Sequence, residues 1–250
     1  MQAYSQEFYA NRYANTVHSA QTILGILLAR IPPVHSAVDI GCGVGAWLSV
    51  LRDQGLEVQG VDGPWVDQNL LAIPRDRFKQ IDLSSASIAL PRRYDLAMSL
   101  EVAEHLPPAR AGEFVSSLTA LSDYVLFSAA TPFQGGVNHF NEQWQHYWVD
   151  LFSARGYVVH DFIRQRIWND PKMPFWYRQN ILFFSTWQKA STVSVDVAGA
   201  DALPMPLDVV HPDLFLRRAT AAAPMGVKSS LKHFRRSLGG YFNRKLGGAG

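Results

Sequence analysis

The chain has 250 residues, 48% of them hydrophobic and 18% charged, with a formal net charge of +2 and one cysteine, Cys42. That length buries one substantial core, and the composition excludes a disordered, fibrous or disulfide-built protein. A balance this close to neutral does not call for a nucleic acid, and no nucleic-acid partner is expected.

Residues 1–35 read as an N-terminal helical lid, in which Tyr4, Phe8, Tyr9 and Tyr13 lead into a helical pattern that stops at Pro32 and Pro33. The apolar stretch from Ile23 to Ile31 carries Arg30 and is far shorter than the roughly 20 residues of a bilayer span. With no basic-then-apolar leader pattern at the start, a cytoplasmic location is expected. Short β-type runs at 37–40, 57–61, 78–81, 94–100 and 124–129 then alternate with helical candidates at 46–53, 66–71 and 110–121. This is the rhythm of βαβ units on a parallel sheet.

After a loop at 130–141, a helix is predicted over 142–155, with Asn141 as its N-cap and Gly156 closing it. The runs 157–163 and 180–186 read as two further strands with no helix between them, only an aromatic connection holding Trp168, Phe175, Trp176 and Tyr177. The predicted fold is α/β: a Rossmann-like, seven-stranded, mostly parallel sheet with helices on both faces and the last strand antiparallel. The core domain is placed at 36–188, a linker at 189–213 and a basic tail at 214–250, where no acid follows Asp213. Within that tail Lys228 to Lys245 reads as a short amphipathic helix suited to an anionic membrane surface, a solvated terminal helix being the plainer reading.

The strongest local signal is Val38-Asp39-Ile40-Gly41-Cys42-Gly43-Val44-Gly45, placed where a strand hands over to a helix. Glycines there let the backbone turn and let a ligand approach the main chain, and the helix start offers N–H groups to it. Gly41, Gly43 and Ala46 also fit a loose dinucleotide pattern, so the glycines alone do not choose a cofactor. The acids do: Asp39, Asp62, Asp82 and Glu101 end successive strands. Asp39 suits an ammonium group better than a pyrophosphate, Asp62 a pair of ribose hydroxyls, and Asp82 an adenine amino group.

Residues 38 to 107, and Ser99-Leu-Glu-Val-Ala-Glu-His-Leu106 in particular, resemble the motifs of class I S-adenosylmethionine-dependent methyltransferases. Phe8-Tyr9, Ser19-Ala20, Gly135-Gly-Val-Asn-His-Phe-Asn-Glu-Gln-Trp144 and Trp176-Tyr-Arg-Gln-Asn180 are similar to a bacterial subgroup associated with polysaccharide or secondary-metabolite gene clusters. The resemblance covers about residues 1 to 187 and implies S-adenosylmethionine as cofactor, held by Gly41, Gly43, Asp62, Asp82 and Glu101. Cys42, Gly63 and Leu83 flank these positions and join the candidate set, and Tyr9 is a candidate to close over the cofactor from the lid.

A methyl group on a sulfonium is already activated, so the protein must align the acceptor and, for a hydroxyl, remove its proton. His139 is the first candidate base, with His105 and Glu142 beside it in the catalytic set. Asn138, Gln143, Trp168, Trp176 and Tyr177 are candidates to hold the acceptor, aromatic faces suiting a sugar ring or a planar natural product. No ligand spacing fixes a metal site, and none is expected. The acceptor expected is a sugar hydroxyl in a glycan or glycosylated metabolite; a small natural product, or a cofactor fold serving only as a scaffold, are the alternatives.

Overall fold

The apolar runs of the first half become the middle of a seven-stranded sheet of order β3-β2-β1-β4-β5-β7-β6. The computed structural model describes residues 6–194 and 206–222, the side chains of residues 6–12, 14 and 222 lying outside that description. The strands are β1 (Ser36–Ile40), β2 (Glu57–Asp62), β3 (Phe78–Gln80), β4 (Leu96–Leu100), β5 (Tyr124–Ser128), β6 (Tyr157–His160) and β7 (Leu182–Thr186). β1 to β5 run parallel, while β7 lies antiparallel between β5 and β6. β1, β4 and β5 are buried along their whole length, as continuous apolar strands covered on both faces must be.

Two apolar layers sandwich this sheet, as expected for helices on both faces. On one side α1 (Gln6–Leu28), α2 (Ala46–Asp53) and α5 (Phe162–Ile167) contribute Ile23, Leu24, Leu27, Trp47, Leu48 and Ile163. On the other α3 (Ala111–Leu121) and α4 (Gln145–Ser153) contribute Phe114, Val115, Leu118, Trp148 and Phe152. Phe152 stacks on Phe184 of β7 at 4.0 Å, which ties α4 to the strand inserted last.

Three local expectations are corrected. The helix expected over 66–71 is only a 3-10 turn at Gln68–Leu70: the Asp67 side chain takes the Asn69 N–H and Nδ2, which favours a turn, and Pro74 bars continuation. Between β6 and β7, where no helix was expected, stand α5 and α6 (Phe175–Asn180). The first forms because Asp161 at its N-cap position pairs with Arg164 one turn on; the second starts directly after Pro174. Asn141 is not the cap of α4, which begins after Trp144; Asn141 is buried, and its side chain accepts from Gln143 Nε2 at 3.0 Å.

The stretch expected as a linker is partly ordered. A 3-10 segment follows β7 at Trp187–Thr192, and residues 206–211 strap onto the core domain. Arg164 Nη1 donates to the Leu207 carbonyl, Gln145 Nε2 to that of Val209, and the His211 N–H to Gln179 Oε1. The chain divides into two units, residues 1–211 and 212–250. In the second, α7 (Pro212–Ala222) exposes Phe215, Leu216 and both arginines, Arg217 and Arg218. The amphipathic segment expected at Lys228 to Lys245 lies outside the described residues.

Candidate active site

Strand ends supply the acids. Gly41, at the tip of β1, has φ 85° and lies so close to Val102 that a Cβ would stand 2.3 Å from its Cγ2. Only glycine fits there, and the chain therefore turns immediately after Asp39 and Ile40. Asp39 is 2% exposed, and its Oδ1 has no hydrogen-bond partner. Burial, and secondarily the charge of Asp62, push the Asp39 carboxyl up to about 8. A buried acid left in that condition lacks a cationic or donor group.

Asp62, at the end of β2, accepts from the Gly43 N–H through Oδ2 at 2.7 Å and from the Gly63 N–H through Oδ1 at 2.6 Å. Burial raises this carboxyl, and those two N–H groups partly offset it. The Trp65 ring lies over Gly63, where a Cβ would be 2.2 Å from it. Cys42 is buried, its thiol pushed well up by burial, and it packs beside Gly60 rather than facing out. Asp82 is half-buried beyond the edge strand β3 and holds the Ser84 N–H and hydroxyl at 2.9 and 2.6 Å, which lowers its carboxyl. Leu83 next to it is buried in the α3 layer. Tyr9 falls in α1, but its side chain lies outside the described residues.

Glu101 follows β4 with φ 56°, a left-handed conformation uncommon outside glycine, and its N–H is held by the Ser128 carbonyl at 2.9 Å. Its carboxylate accepts from Asn180 Nδ2 at 3.0 Å and from Gln134 Nε2 at 2.8 Å. Burial raises it, with those two amides working against the shift. Because β7 runs antiparallel, its start lies at the edge where the parallel strands finish, and this delivers Gln179 and Asn180 to Glu101. Gln179 Nε2 bonds Thr131 Oγ1 at 2.6 Å and closes a buried amide network. Tyr177, also buried, has its hydroxyl raised by burial and by the nearby charge of Glu101, and its ring meets Trp47 edge-on at 5.4 Å. Sequence reasoning missed Gln134 and Thr131; Gln179 and Asn180 stood in a quoted motif but had no assigned role.

The loop between β5 and α4 carries the candidate base. His139 Nδ1 donates to Glu142 Oε1 at 3.0 Å, and the same carboxylate takes the Gly135 and Phe133 N–H groups at 2.5 and 2.8 Å. Glu142 therefore pins the loop and fixes the orientation of the His139 ring. His105 Nδ1 donates to the Asn138 carbonyl at 3.2 Å, and the two imidazoles meet edge-to-face at 4.8 Å. Carboxylate and carbonyl only accept, so each neutral ring carries its proton on Nδ1 and its lone pair on Nε2. His139 Nε2 occupies a notch at Gly136, where a Cβ would fall 2.1 Å away.

Beneath them lies Glu104, a residue absent from the expected set. It is 1% exposed and neither carboxylate oxygen has a hydrogen-bond partner. Its backbone carbonyl takes the Phe140 and Asn141 N–H groups at 2.8 and 3.0 Å, which folds the loop back over it. Burial, then the charges of Glu101 and Glu142, raise its carboxyl well above the usual range.

Of the expected acceptor contacts, Asn138 is exposed with φ 59°, and Gln143 is tied to Asn141. Trp176 and Tyr177 line a groove with Asn15, Thr16, Ser19 and residues 171–174. Trp168 is half-buried: its ring lies on His211 at 4.6 Å and its carbonyl accepts from Arg178. His146 stands apart, bonded to Asp208 of the strap.

The family described as "Methyltransferase domain" matches residues 7–166 of this chain. No curated protein matches it. Magnesium protoporphyrin IX methyltransferase from Synechocystis PCC 6803, solved with bound SAH, is similar over 69% of this chain and 84% of its own, at 19% identity and a TM-score of 0.51. A SAM dependent methyltransferase from Archaeoglobus fulgidus is similar over 62% and 76% respectively, at 19% identity and a TM-score of 0.50. An O-methyltransferase family protein from Burkholderia thailandensis is similar over 74% and 61%, at 15% identity and a TM-score of 0.52. At such identities the likeness is one of fold.

Proposed function

Because the chain belongs to the class I S-adenosylmethionine-dependent methyltransferases, we propose that it methylates a hydroxyl group of a sugar, in a glycan or a glycosylated metabolite. The observation that carries the reading is the buried, unpartnered oxygen of Asp39 beside a glycine bend that tolerates no side chain. That cradle fits the cofactor: Asp39 receives its ammonium, Asp62 its ribose, and the half-buried Asp82 its adenine. When bound, S-adenosylmethionine supplies a methyl group on a positively charged sulfur.

The chain's own residues then act on the acceptor. Glu101 is held rigid by Asn180 and Gln134, and it fixes the polar floor of the site. His139, aimed by Glu142, takes the hydroxyl proton at Nε2. Phe133, Val137, Phe140 and Trp144 stand exposed around this loop, and apolar faces of that kind suit the C–H face of a sugar ring. A planar natural product is the second reading, favoured by the half-buried Trp176 in its groove.

The test is a screen of sugar and phenolic acceptors with labelled methyl donor, paired with calorimetry of S-adenosylhomocysteine. His139→Ala is expected to lower kcat by about 10²- to 10⁴-fold with the affinity for S-adenosylhomocysteine unchanged. Full turnover in that variant removes His139 from the mechanism, and failure of the wild type to bind either form of the cofactor removes the reading.

A further inference from the structure

We propose that Glu104, His105 and His139 form a binding site for one divalent cation of the first transition row, placed on the acceptor side of the site. One oxygen of Glu104 and one nitrogen from each imidazole lie within 4.8 Å of one another. Ligands of one cation, each about 2.1 Å from it, stand roughly 3–4 Å apart, so side-chain adjustment alone closes the set. The second observation is independent of that clustering. Glu104 is 1% exposed, and both of its oxygens lack a hydrogen-bond partner, a condition that a bound cation relieves.

The surroundings have the form of a metal's outer shell. His139 gives its Nδ1 proton to the Glu142 carboxylate and His105 gives its own to the Asn138 carbonyl. Contacts of this kind hold metal-binding imidazoles in one tautomer and one orientation. Two imidazoles and one carboxylate favour Mn²⁺, Co²⁺ or Zn²⁺ over Mg²⁺, which prefers an all-oxygen shell. Three protein ligands also leave coordination positions open. The acceptor class implied is therefore one with two adjacent oxygens, such as the vicinal diol of a sugar. This last step rests on the methyltransferase reading above, and it makes His139 a ligand where that reading makes it a base.

The full chain, stripped with a chelator, is titrated with Mn²⁺ followed by electron paramagnetic resonance, and with Zn²⁺ by equilibrium dialysis. One Mn²⁺ or Zn²⁺ per chain is expected, with Mg²⁺ a poor competitor. Glu104→Gln, His105→Ala and His139→Ala should each weaken binding by at least about tenfold, and Glu142→Gln by about tenfold through its hold on His139. If Glu104→Gln fails to fold, His105→Ala at the solvent edge decides the matter. Absence of stoichiometric Mn²⁺ and Zn²⁺ binding overturns the site, as does binding that survives both histidine substitutions. Calorimetry of S-adenosylhomocysteine on the same samples separates the two proposals: cofactor binding without cation binding sinks the cation site and leaves the methyltransferase reading standing.

Discussion

The proposed place of the cofactor's ammonium beside Asp39 makes binding depend on pH. The Asp39 carboxyl is raised to about 8 by burial and by Asp62, so without a cationic partner its neutral form is favoured near neutral pH. An ammonium arriving beside it favours the charged form, and binding must then expel a proton. The release ends where the unliganded carboxyl is already ionised, so affinity for the cofactor should rise as the pH rises toward about 8 and level off above it. Calorimetry at neutral pH in two buffers of different ionisation enthalpy measures the release directly, and equal heats in both buffers would contradict it. The placement of Asp39, Asp62 and Glu101 at strand ends was legible in sequence because each stands at the close of an apolar run. The burial of Glu104 was not, since an acid in a single 3-10 turn, Ala103–His105, carries no period, and residues 140 and 141, which bond its carbonyl, are distant in the chain. Gln134 and Asn180 were hidden for a related reason, as an amide's role depends on a partner 79 or 33 residues distant in the chain.

At the scale of elements, α2, α3 and every strand of the parallel half followed from periodicity. Misreadings gathered where a few side chains override it, as at Asp67 and Pro74, or at Asp161 and Arg164. Arg164 is wholly buried and paired with Asp161, and it also donates to the Gln179 and Leu207 carbonyls. Removing one partner of such a pair strands the other in a low-dielectric interior. Arg164→Met is therefore expected to cost about 3–5 kcal/mol in urea unfolding. Adding Asp161→Asn should restore part of that loss, and a double variant no more stable than the single would show that the cost lies in lost packing.

For the whole molecule the fold class, the strand count and the reversed last strand were all readable, because alternating strands and helices leave few arrangements. The limit of the core domain was not. Its edge was expected at residue 188, yet residues 206–211 satisfy Arg164, Gln145, His146 and Gln179. A strap of Leu-Asp-Val-Val-His lacks any pattern that distinguishes it from a spacer. Ending the chain after Gln188 should lower Tm by several degrees relative to a chain ended after His211, as followed by circular dichroism; equal values would show that the strap adds nothing.

The place of β7 also sets an order of events during synthesis. β5 has β4 on one side and waits on the other for a strand that begins at Leu182, 54 residues after Ser128. Until that strand leaves the ribosome, the Tyr124–Ser128 run has an open hydrogen-bonding edge and β6 has nothing to pair with. The nascent protein thus passes through a stage in which its most apolar interior is open to other chains, and chaperone demand should concentrate there.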